Sequence, residues 1–165
     1  MIQQIQDLIE SLREELQQYG EMLALLDRQQ DLVVARAAGD VFQLVRVLQN
    51  QSAVIQQARS RREGSRRSLA RSLAQADAST FATLLPLLPA DYRPLVKALV
   101  DENNALLARI QQRTRQNHLL LSRSVEFMQD LINSLLPGRE MRVYDGHGKK
   151  DAHPLAKASF YEAVG

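Results

Sequence analysis

Ile2, Ile5, Ile9, Leu12, Leu16, Tyr19, Leu23 and Leu26 follow one another at alternating steps of three and four residues. Only a helix gathers such a series on one side, and its persistence over successive heptads describes a seam that other helices must cover. Glu10, Glu14, Glu15 and Glu21 fall off this seam. The pattern predicts one helix over 2–38, since Gly20 in its interior costs only about 1 kcal/mol. Gly39 then reads as a left-handed helix cap and Asp40 as the N-cap of the next helix, which makes the connection a tight hairpin.

A second helix is expected over 41–76. Val41, Leu44, Val45, Leu48 and Ile55 open it and Leu69 and Leu73 close it, with Gly64-Ser65 as a candidate bend. Its middle has no large apolar residue and carries Arg59, Arg61, Arg62, Arg66 and Arg67. Two readings stay open for the stretch Arg59–Arg71. Clustered arginines suit phosphate, which points to a nucleic-acid or anionic-membrane adaptor. Alternatively they answer charge within the chain: residues 1–40 hold eight acidic and three basic side chains, and residues 41–76 hold one acidic and seven basic. Folding back at Gly39 would bring Arg59 near Glu21, and Arg66 near Glu14 and Glu15. At about 0.2 to 1 kcal/mol per exposed pair, such contacts set register more than stability.

A short helix fits 79–86, interrupted by Pro86 and closed by Pro89. Asp91 can cap a last helix over 91–136, with Pro94 tolerated in its first turn. Its apolar positions run through Tyr92, Val96, Leu99, Leu106, Ile110, Leu120, Phe127 and Leu131 to Leu136, while Asn103, Arg113 and Asn117 occupy seam positions. Asn103 reads as a register residue. Residues 137–165 change character, with glycines, lysines and scattered apolar groups, and are expected to form a mobile tail. The fold class is therefore all-α: an elongated antiparallel bundle or coiled coil of three long helices plus one short helix over 1–136.

Chemistry leaves little trace. The chain has no cysteine, so disulfides, thiolate metal sites and thiol catalysis are excluded together. His118, His147 and His153 do not fall at metal-ligand spacing, and no nucleophile with its base or phosphate cradle is present. The expectation is a non-enzyme without cofactor or metal. A net charge of +2 gives no whole-molecule argument for nucleic acid, and neither a signal sequence nor a membrane span is visible. A cytoplasmic location follows as an expectation. What stands out is apolar surplus. Leu119, Leu120, Leu121, Val125, Phe127, Met128, Leu131, Ile132, Leu135 and Leu136 spread over more of the last helix than one antiparallel neighbour covers. Another helix of the chain, a second copy in a homodimer or tether, or a visiting helix could cover it.

Asn117-His118-Leu119-Leu120-Leu121 resembles the Asn-x-x-Leu-Leu element in the last helix of the FlgN family of flagellar type III export chaperones. Tyr144-Asp145-Gly146-His147-Gly148 is similar to that family's Tyr-Gly-x-x-Gly, with Asp145 in place of the first glycine. The resemblance implies a cytosolic chaperone for hook-filament junction (hook-associated) proteins. It implies client contacts at Asn117, Leu120, Leu121, Phe127, Met128, Leu131 and Leu135, and docking on the export-gate protein through Tyr144.

Overall fold

The structure is a computed structural model that describes residues 1–135. Its elements are α1 (Ile2–Val34), α2 (Ala38–Ser72), α3 (Phe81–Leu84), a 3-10 turn (Leu85–Leu87) and α4 (Arg93–Leu135). Contacts group the chain into two units, Met1–Phe127 and Met128–Gly165. The all-α class read from the seam is the one observed, and Pro94 lies in the first turn of α4 as expected.

Within the first unit α1 is the shared element. Ile5, Leu8, Ile9 and Leu12 are buried with Leu69 of α2, Leu88 after the 3-10 turn, and Val96 and Leu99 of α4. Further along, Tyr19, Met22 and Leu26 are buried with Leu44, Leu48 and Ile55, and Leu106, Leu107 and Ile110 of α4 pack against them. α1 and α2 run antiparallel, with Gln51 donating to the Gln18 carbonyl at 3.1 Å and Arg61 pairing with Glu14 at 2.7 Å.

The first hairpin differs from expectation. α1 ends at Val34 and Arg36 takes the left-handed conformation, at φ 56°. Gly39 lies inside the first turn of α2. The reversal is a Schellman motif, in which Ala37 N–H donates to the Leu32 carbonyl at 3.0 Å and Arg36 N–H to the Val33 carbonyl at 3.1 Å. Forcing a residue other than glycine left-handed costs roughly 1 to 2 kcal/mol. Turning early sets Leu44 and Leu48 among Met22 and Leu26, and each large side chain buried returns about 1.5 to 3 kcal/mol. Packing therefore overrides the glycine signal. α2 ends in the same way, four residues short of the expected 76, with Ala74 at φ 55° and Gln75 N–H donating to the Ala70 carbonyl at 2.8 Å.

The early turn also shifts the charge register. Arg61 meets Glu14 and Arg62 reaches Glu15 at 3.3 Å. Arg66, expected near Glu14 and Glu15, is instead buried against Glu63 at 2.6 Å and donates to the carbonyls of Asp77 and Ser79. It thereby ties the segment after α2 to the helix. Glu63, bonded by Arg66 and by Arg67, is held down at about pKa 2. Arg71 pairs with Asp77 at 2.5 Å. Self-neutralisation of the hairpin thus holds, in a register the sequence count misplaced.

Glu15, counted off the seam, is only 2% exposed. Its Oε1 accepts the Tyr19 hydroxyl at 2.8 Å. Arg62 supplies the opposite charge and stands 6.0 Å from the centre of the Phe81 ring. Burial, reinforced by the bond to Glu15, pushes the Tyr19 phenol up to about pKa 12.

Candidate protein-docking surface

α4 lies against α1 in a constant offset. Asn103 Nδ2 donates to the Leu12 carbonyl at 3.0 Å and Asn117 Nδ2 to the Leu26 carbonyl at 2.8 Å, each pair 91 residues apart in sequence. Two contacts with one offset mean that the helices run parallel and keep heptad register between them. Carried to Val34, the last residue of α1, that offset reaches Val125 of α4. Arg113 occupies the seam between the two asparagines, pairing with Asp27 at 2.7 Å and donating to Gln30.

Exposure follows this register. Leu106, Leu107, Ile110, Leu120 and Leu121 are half-buried. Where the α1 register runs out, Val125 is 56% and Phe127 62% exposed, and Leu119 nearby is 57% exposed. In the second unit Met128, Leu131 and Ile132 are exposed as well, Met128 at 60%. In the first unit, Gln30 of α1 and Arg113, Gln116, Leu119, Leu120 and Arg123 of α4 line a shallow open groove of about 370 Å³.

Of the residues the family resemblance singled out, Leu120, Leu121, Phe127, Met128 and Leu131 are half-buried or exposed. Asn117 is 2% exposed and its amide is engaged by Leu26 and Gln29, so it sits at the helix seam and not on the surface. Counting heptads from Asn103 places it there, a signal that was present in the sequence. The side chain of Leu135, and Tyr144 with the whole expected tail, lie outside the described residues. Gln29, buried beside Asn117, leaves no mark in the sequence, because glutamine at an interior position has no apolar signature.

Among the described residues no group of His, Asp and Glu is placed to hold a metal ion, and no helix is long and apolar enough to cross a membrane. Most of the Arg59–Arg71 charge is answered by Glu14, Glu15, Glu63 and Asp77. Fold and surface together define an all-helical, heptad-packed chain whose last helix offers apolar side chains where its partner helix stops.

The chain belongs to the FlgN protein family, whose sequence model matches residues 1–152. That family comprises flagellar export chaperones that bind flagellar proteins. No curated protein and no solved structure matches the chain.

Proposed function

We propose that this chain is an ATP-independent, non-enzymatic chaperone of the cytosol that holds the terminal segments of hook-filament junction proteins and delivers them to the flagellar type III export gate. The observation that carries the reading is the exposure of Leu119, Val125 and Phe127 on the part of α4 that lies in the first unit. An unassembled client whose terminal segments form amphipathic helices has an apolar face to hide, and a helix laid on α4 hides both faces at once. The client set is Leu120, Leu121, Phe127, Met128, Leu131 and Leu135, with Asn117 anchoring the seam beneath. Four such side chains, at about 1.5 to 3 kcal/mol each, offer roughly 6 to 12 kcal/mol before association costs. Micromolar or weaker binding results, as suits a client that has to be released.

Tyr144 is assigned to gate docking, its ring entering an apolar pocket while the hydroxyl keeps a hydrogen bond. The test is a pull-down of hook-associated proteins with Phe127→Asp/Met128→Asp. Both side chains are exposed, so circular dichroism should be unchanged while client recovery is lost; undiminished recovery rejects the surface. Tyr144→Ala should retain the client and lose the gate protein.

A further inference from the structure

The surface along α4 carries a second pattern, in charge. Between Asn103 and Val125 the helix has no Asp or Glu and holds Arg109, Arg113, Arg115 and Arg123. Taking Asn103, Ile110 and Asn117 as one seam column and Leu106, Arg113, Leu120 and Phe127 as the other, the two flanks of the seam differ. Leu107, Thr114 and Leu121 form one flank; they are half-buried, and Leu107 packs on the cluster that includes α2 residues. Arg109, Gln116 and Arg123 form the other, seven residues apart and all exposed. Gln116 and Arg123 edge the groove whose opposite wall is Gln30 of α1. Arg113 is already answered by Asp27, whereas Arg109 and Arg123 make no ion pair among the described residues.

The geometry points to an occupant of defined chemistry for this groove: an amphipathic helix with a heptad apolar stripe and carboxylates along the edge that meets Arg109 and Arg123. This rests on the helix-binding reading given above and adds the partner's charge to it. In helix pairs the apolar columns supply affinity, and the charges flanking them choose the partner and its orientation. Arg109 and Arg123 stand at those flanking positions, beside Leu120 and Phe127. A phosphate backbone would use the arginines and leave Leu120 and Phe127 uncovered; an acidic amphipathic helix uses all four. Arg109 and Arg123 are separated by about 21 Å of helix, so carboxylates two heptads apart on the partner reach both in one register.

The experiment uses the full chain and three synthetic three-heptad peptides with one shared leucine stripe, bearing Glu, Gln or Lys at the flanking positions. Binding is read by fluorescence anisotropy at about 0.05 and 0.5 M salt. The Glu peptide should bind at least about tenfold more tightly than the Lys peptide at low salt, with the gap closing at high salt. In Arg109→Glu/Arg123→Glu the order should reverse. In Arg13→Glu/Arg46→Glu, which changes net charge equally through two exposed arginines elsewhere, it should not. Equal binding of the three peptides overturns the charge assignment and leaves the apolar surface standing, whereas no binding by any of them removes both. An order that reverses equally in the Arg13/Arg46 variant, or displacement of the Glu peptide by phosphatidylserine vesicles or duplex DNA, also overturns the assignment.

Discussion

Asn103 and Asn117 show how single polar side chains fix the alignment of two helices. Each sends its amide N–H across the seam to a carbonyl of α1, and each keeps its Oδ1 buried without a hydrogen-bond partner. A buried, half-satisfied amide costs stability; what it secures is one register, marked by the second bond of Asn117 to Gln29 Oε1 at 3.0 Å, since backbone carbonyls recur at every turn of α1 and that side chain does not. Leucine at position 103 removes the orphaned oxygen and fills the site with apolar surface. Asn103→Leu is therefore expected to stabilise the chain by about 1 to 2 kcal/mol in urea unfolding, while Asn103→Asp, placing a charge in the same dry site, should destabilise it by about 3 kcal/mol or more. Loss of stability in Asn103→Leu would show that the two bonds to Leu12 and Leu99 carry net energy of their own. Both asparagines were legible as seam residues from spacing. Which carbonyls they meet was not, because that depends on a partner ninety-one residues away.

At the scale of the helix, the ends decide more than the middles. α1 and α2 both close in Schellman motifs with Arg36 and Ala74 in the left-handed position that glycine favours, while Gly39 sits in helical backbone with open space where a Cβ would go. Gly39→Ala is thus expected to stabilise by about 0.5 to 1 kcal/mol through helix propensity. Ala74→Gly should stabilise by a similar amount by releasing the left-handed strain. Thermal melts of the two variants check this, and a lowered melting temperature in Gly39→Ala would mean that the hairpin turns at Gly39 after all. The α1 seam was readable because its three-four spacing is a local property. The hairpin was not, because Gly39-Asp40 carries the stronger local turn signal and loses to the non-local packing of Leu44 and Leu48 against Met22 and Leu26. The same displacement explains why Arg61 and Arg62 reach the acids of α1 in place of Arg66.

Across the first unit, the docking surface is a consequence of where helices stop. Nothing near Phe127 in sequence says that it will be bare; it is bare because α1 ends at Val34 and the α1–α4 offset brings that end level with Val125. The apolar surplus could be read from sequence, but the level at which it becomes surface could not. The arrangement also depends on α4 being held firmly along the rest of α1. Leu12, 1% exposed, lies in the cluster that joins α1 to Leu69 of α2 and to Val96 and Leu99 of α4, and its carbonyl receives Asn103. Leu12→Ala should cost about 2 to 5 kcal/mol, because the surrounding helices cannot close the cavity fully. If α1 is the common support, hydrogen-exchange protection of the amides around Leu12, Leu69 and Val96 should fall together by that amount, as one cooperative opening. Protection lost near Val96 alone, with the α1–α2 hairpin keeping its own, would mean that α4 detaches separately, and the exposed face would then belong to a helix able to leave its seat.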